Sequence, residues 1–91
     1  MTTQEETPEG IARELASYLA EEMLVEDSPV DPDRNLLVEG IVDSLGLLRI
    51  VGHLERAYDL KIPPEDYVID NFRSLNTIGR YVQRLRSEGV R

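Results

Sequence analysis

Apolar side chains recur three and four positions apart in three separate segments of this chain, the spacing of helices that bury one face. In the first segment they are Ile11, Leu15, Tyr18, Leu19 and Met23, with Arg13, Glu14, Glu21 and Glu22 on the other faces. Thr7-Pro8-Glu9 reads as its start: threonine caps, proline takes the first helical position and an acid follows in the first turn. This helix is predicted to run to near Val25, where Glu26-Asp27-Ser28-Pro29 breaks it. In the second segment Leu47, Ile50, Val51, Leu54 and Tyr58 fall within an arc of about 100°, the width of a core-facing stripe. Asp43 is its expected N-cap and Ser44 its first residue. The last segment carries Leu75, Ile78, Val82 and Leu85 behind a serine cap at Ser74.

The connections are equally patterned. Residues 27–42 form a long link whose Leu36, Leu37, Ile41 and Val42 are too apolar to hang in water, so they are expected to lie along the helices and plug them. Asp31-Pro32-Asp33 predicts a tight turn within it. After Asp59-Leu60-Lys61 turns the chain, Ile62-Pro63-Pro64 stops any continuation. A short helix is expected over residues 65–69, closed by Asp70-Asn71, with Phe72 anchoring the loop. The sum is an all-α fold: a small four-helix bundle of three main helices and one short one, with the long loop between helices one and two. Residues 1–6 are expected to be a disordered N-terminus, 7–87 the folded domain and 88–91 a tail.

On the second helix, Leu45, Leu48, Arg49, Gly52 and Arg56 lie opposite the core stripe. This side is expected to face water, yet it places two leucines beside the serine. An apolar spot next to a hydroxyl at the positive end of a helix suits attachment of a phosphate ester and docking of a partner. Asp-Ser-Leu alone is weak, since it is also an ordinary helix start.

The surrounding residues sharpen it. Asp43-Ser44-Leu45, followed by Leu54-Glu55, Tyr58, Ile62-Pro63, Glu65-Asp66, Phe72, Ser74-Leu75, Ile78 and Tyr81-Val82, resembles the acyl and peptidyl carrier protein family over about residues 10–86. The resemblance implies that Ser44 carries 4′-phosphopantetheine, taken from coenzyme A by a phosphopantetheinyl transferase, with Asp43 fixing the helix start beside it. It implies a thiol-tipped arm that holds acyl or aminoacyl cargo, a cargo-loading ligase or acyltransferase, and downstream condensing or transferring enzymes. The chain itself would perform no chemistry. Carriers of bacterial fatty acid synthesis show an acidic exposed side on this helix, whereas here Gly46, Arg49 and Arg56 stand where acids are expected. A specialised free-standing carrier of polyketide or nonribosomal-peptide type is therefore the reading. Its partners would recognise Leu45, Leu48, Arg49, Gly52 and Arg56. A fatty-acid-synthesis carrier and an unmodified interaction module are the alternatives.

Composition narrows the field further. Ninety-one residues allow one small domain, close to the size at which burial only just outweighs chain entropy. The absence of cysteine removes disulfides, a thiol nucleophile and a thiolate metal site. No run approaches the length of a membrane span, and the acidic N-terminus does not resemble a signal peptide, so a cytoplasmic, monomeric protein is expected. The net charge of −8 repels nucleic acid. It is unevenly spread: residues 1–43 hold 12 acids and 2 bases (net −10), and residues 44–91 hold 6 acids and 8 bases (net +2). Arg80, Arg84 and Arg86 suit a helix C-terminus better than a basic patch. His53 is the only imidazole and lies about 13 Å along the helix axis from Ser44 and half a turn around it, too far to activate it. A surface histidine is expected. Asp31, Asp33 and Asn35 mimic the opening of a calcium loop, but Leu36 and Val42 occupy the positions that need glycine and glutamate, so no metal is expected.

Overall fold

A computed structural model describes residues 7–23, 25 and 30–88. Its helices are α1 (Pro8–Glu21), α2 (Ser44–Tyr58), α3 (Ile69–Phe72) and α4 (Leu75–Ser87), with a 3-10 turn at Pro64–Asp66 before α3. No strand occurs among the described residues, so the expected all-α bundle of three main helices and one short one is what forms. The expectations for residues 1–6, the break at residues 26–29 and most of the tail fall outside the described residues.

Each long helix begins as its sequence dictates. The Thr7 hydroxyl accepts from the Gly10 amide at 2.9 Å, the Asp43 carboxylate from the Gly46 amide at 2.8 Å, and the Ser74 hydroxyl from the Thr77 amide at 3.1 Å. Each cap satisfies one of the amides that a helix start leaves without an internal partner. Helix α1 ends earlier than expected, at Glu21 and not near Val25. The amides of Met23 and Val25 turn back to the carbonyls of Tyr18 and Leu19, and both side chains then pack against the core from a non-helical segment. Their apolar character served packing, not helix continuation.

The core joins Ile11, Leu15 and Leu19 of α1, Ile50, Val51 and Leu54 of α2, and Leu75, Ile78, Val82 and Leu85 of α4. Helices α1 and α4 approach most closely. At Gly79 a Cβ would stand 2.3 Å from the Pro8 carbonyl oxygen, so only glycine lets the two backbones meet there. The long loop is the plug that its sequence predicted: Leu36 and Val42 are buried, and Leu37 and Ile41 lie partly buried against them. The turn at Asp31 also forms, with the Asp33 amide on the Asp31 carboxylate and the Arg34 amide on the Asp31 carbonyl.

The short helix is displaced. Residues 65–69 do not form one helix; a 3-10 turn ends at Asp66, Val68 is extended, and α3 begins at Ile69. Asp70 and Asn71 are thus inside α3 and do not close it. Two long side chains decide this. Tyr81 of α4 donates to the Asp66 carboxylate at 2.6 Å, and Asn71 donates to the Asp66 carbonyl at 2.9 Å, which folds the chain back after residue 66. Phe72 anchors the segment as expected, fully buried against Tyr81.

Candidate functional site

The first turn of α2 is assembled from the loop before it. The amides of Ile41 and Val42 both donate to the Leu36 carbonyl, while the Leu36 amide donates to the Arg73 carbonyl at 2.8 Å. Gly40, at φ +75°, supplies the left-handed turn that brings the chain round. Asp43 then lies extended as the N-cap and the helix starts at Ser44. Beneath this turn Gly46 is buried: a Cβ there would stand 3.1 Å from the Met23 methyl and 3.2 Å from the Val42 Cβ. Gly46 therefore does not belong to the exposed side, contrary to the expectation that grouped it with Arg49 and Arg56.

Ser44 is exposed, and its hydroxyl takes no hydrogen bond among the described residues. The amides of Ser44 and Leu45 also have no partner among the described residues, since the cap uses those of Gly46 and Leu47. The arrangement is a reachable hydroxyl beside two outward-facing N–H groups at the positive end of a helix about 22 Å long. Negative charge on an ester at that oxygen is favoured there.

Around it, Leu45 is 72% and Leu48 52% exposed, and Arg49 and Arg56 are exposed. Gly52 is half-buried, with the Arg56 guanidinium 3.4 Å from where its Cβ would be. The stripe expected opposite the core is thus one continuous face, with Arg56 laid over its glycine. Arg49 donates to the Glu22 carbonyl at 3.4 Å, beyond the end of α1.

His53 departs from expectation. Its side chain is only 16% exposed, its Nε2 meets both Glu14 oxygens at 2.9 and 3.0 Å, and its ring stacks on Tyr18 with centroids 3.9 Å apart. It joins α2 to α1 and is not a surface histidine. Glu14 and Tyr18 are four apart on α1, a spacing that marks them as one receiving face, but nothing local names the partner 39 residues away. The residues resembling a calcium loop are occupied in folding: the Asp33 carboxylate accepts from the Asn76 side chain and Asn35 from the Val38 amide. Among the described residues no group of three or more metal-ligating side chains converges. Tyr81, buried and donating to Asp66, has its phenol pushed well above its usual range, first by burial and then by that hydrogen bond.

Comparison with known proteins settles what kind of molecule carries this turn. The family model described as the phosphopantetheine attachment site matches residues 13–82. The chain belongs to this family of phosphopantetheine-binding carriers. Its cofactor is 4′-phosphopantetheine, held covalently, and carriers are not enzymes: their reactions occur in partners. The carrier is 32% identical over 84 residues to an acyl carrier protein of Rhodococcus erythropolis, covering 92% of this chain and 90% of that one. It is 32% identical over 82 residues to a meromycolate extension acyl carrier protein of Mycolicibacterium smegmatis, covering 90% and 81%. It is 29% identical over 69 residues to a D-alanyl carrier protein of Streptococcus sanguinis, covering 76% and 87%. Among the described residues of the carrier no helix is long and apolar enough to cross a membrane.

Proposed function

We propose that Ser44 is the attachment residue and that the chain, with residues 7–87 as its carrier domain, serves a specialised biosynthetic pathway of polyketide or nonribosomal-peptide type from the cytoplasm as a monomer. The observation that carries this is the exposed, unbonded hydroxyl of Ser44 at the start of α2, inside the span matched by the attachment-site family. When bound, the arm supplies a thiol that holds acyl or aminoacyl cargo as a thioester. The chain's own residues do the presenting. Asp43 fixes the backbone of the first turn, the amides of Ser44 and Leu45, unpartnered among the described residues, would favour the negative charge of the attached phosphate, and Gly46 lets the turn sit down on Met23 and Val42. No imidazole reaches the hydroxyl, because His53 is engaged with Glu14. Removal of its proton is therefore work for the phosphopantetheinyl transferase.

The specialised pathway is supported by the exposed stripe. Leu45, Leu48, Arg49, Gly52 and Arg56 offer a partner leucine contacts edged by two guanidinium groups, where a carrier read by basic housekeeping enzymes would show acids. The named relatives span acyl, meromycolate-extension and D-alanyl carriers. The partners implied are the transferase, a cargo-loading ligase or acyltransferase, and downstream condensing or transferring enzymes. Incubation with coenzyme A and a broad-specificity transferase, followed by mass spectrometry, should give one phosphopantetheine adduct on a peptide containing Ser44. The adduct should vanish in Ser44→Ala; an adduct that persists there, or none on the wild type, overturns the assignment.

A further inference from the structure

The first turn of α4 reaches out to the long loop. A helix start leaves amides without partners inside the helix, and that of Asn76 donates to the Pro32 carbonyl at 3.0 Å. The Asn76 side chain goes further, donating to the Asp33 carboxylate at 2.8 Å. Just before the Ser74 cap, the Arg73 carbonyl accepts from the Leu36 amide at 2.8 Å. Residues 32–36 are thus fastened to residues 73–76. The loop is shaped for this contact, because the Asp33 amide is folded onto the Asp31 carboxylate at 2.9 Å. A carboxylate at the positive end of α4 is favoured as well. Backbone groups make the bonds at Pro32 and Arg73, which most side chains would permit; the bond between residues 76 and 33 depends on which side chains stand there. Asparagine is among the weaker helix formers, so its place in this turn is explained by the bond and not by the helix.

The serine turn hangs from this fastening. Leu36 is fully buried, and its carbonyl accepts from the amides of Ile41 and Val42 at 2.9 and 3.1 Å, immediately ahead of the Asp43 cap and Ser44. We propose that Asn76 is a positioning residue for the modification of Ser44. Through Asp33 it holds the loop, and through Leu36 the loop holds the start of α2, so the transferase meets the hydroxyl in one place. The inference rests on Ser44 being the attachment residue. Without the bond between Asn76 and Asp33 the loop samples other arrangements, and the transferase binds only the competent one. Its apparent affinity then falls with the competent fraction, while the reaction of the bound carrier is unchanged.

The test follows phosphopantetheinylation of the full-length apo-protein by a broad-specificity transferase in wild type, Asn76→Ala, Asp33→Ala and the exchanged pair Asp33→Asn/Asn76→Asp, in which donor and acceptor trade sides. Thr7→Ala, which removes the cap of α1, controls for lost stability alone. Asn76→Ala and Asp33→Ala should each raise the KM for the carrier about fivefold with kcat retained, the change expected for one hydrogen bond of ordinary net strength. The exchanged pair should return KM to within about twofold of wild type. Amide hydrogen exchange gives a second readout: in Asn76→Ala the amides of Leu36, Ile41 and Val42 should exchange about fivefold faster relative to those of Ile50 and Ile78, and in Thr7→Ala that ratio should stay as in wild type. A wild-type KM in Asn76→Ala, an equal rise in Thr7→Ala, or an exchanged pair no better than Asn76→Ala overturns the proposal. A wild type that takes no arm at Ser44 would sink the attachment assignment and this proposal with it, whereas those outcomes sink the proposal alone.

Discussion

Gly79→Ala tests the packing on which the bundle depends. A Cβ at this position would lie 2.3 Å from the Pro8 carbonyl oxygen and 3.1 and 3.2 Å from the Pro8 carbonyl carbon and Cα. Real Cβ atoms essentially never come within 3.0 Å of a non-bonded heavy atom, so the backbone of α1 at Pro8 and that of α4 must separate by at least about 0.7 Å at that point. The obstacle is backbone and has no rotamer to swing away. Overpacking costs about 1–3 kcal/mol, and a rigid obstacle belongs at the upper end. Alanine regains about 1 kcal/mol of helix propensity, leaving a net loss of about 2 kcal/mol. For a domain of this size that lowers Tm by about 8–16 °C, read by circular dichroism. Gly52→Ala is the matched control. Its Cβ would meet only the Arg56 guanidinium, at an ordinary 3.4 Å, so propensity should win and Tm should hold or rise by a few degrees. An equal or higher Tm for Gly79→Ala would refute the close approach of α1 to α4.

Three further outcomes are expected. Asp43→Ala should cost about 1 kcal/mol of stability, a fall of about 4–8 °C in Tm, while Asp43→Asn, which can still accept from the Gly46 amide, should lose little; equal melting of all three would show the cap contributes nothing. Tyr81 gives an alkaline signature. Its phenol is raised above its unfolded value of about 10, so its contribution is complete below pH 10 and is lost as pH climbs toward the folded value, by up to about 1.4 kcal/mol per pH unit. Denaturant titrations of Tyr81→Phe should lack that portion of the slope, and a parallel decline in both proteins would refute it. Arg49→Glu combined with Arg56→Glu should reduce kcat/KM for loading by the cognate enzyme about tenfold, and unchanged kinetics would remove these arginines from the docking surface.

What the sequence conveyed was local, and what it concealed was long-range. Asp43, Ser74 and Thr7 were legible as caps because a cap bonds to an amide three residues on. The stripe of α4 was legible because helical periodicity and burial coincide at Leu75, Ile78, Val82 and Leu85. Ser44 stood out by its place before an apolar rod and by the family spacing around it. The short helix was misplaced because its boundary is set by Tyr81 acting on Asp66 from 15 residues away. The end of α1 was overrun because Met23 and Val25 keep helical hydrophobicity after their amides have turned back. Gly46 and His53 were assigned to the surface for the same reason: Met23 and Glu14, which cover them, lie more than twenty residues earlier in the chain.

The exposed apolar side chains have no explanation in stability. Burying one such side chain fully is worth about 1.5–3 kcal/mol, and a domain of this size holds in total only about 0.05–0.15 kcal/mol per residue. Leu45, Leu48, Val68 and Ile69 left outside the core therefore forgo an amount comparable with the whole margin that keeps the chain folded. They are not loose ends of a poorly formed bundle, because each group is held by ties of its own. The serine turn has its aspartate cap and its glycine seat, and the 67–69 segment has the Tyr81 and Asn71 clasps on Asp66. Polar side chains that fix apolar ones in water make sense where the apolar surface is covered at intervals by other molecules. A carrier visited by a succession of enzymes meets that condition, and a domain that merely folds does not.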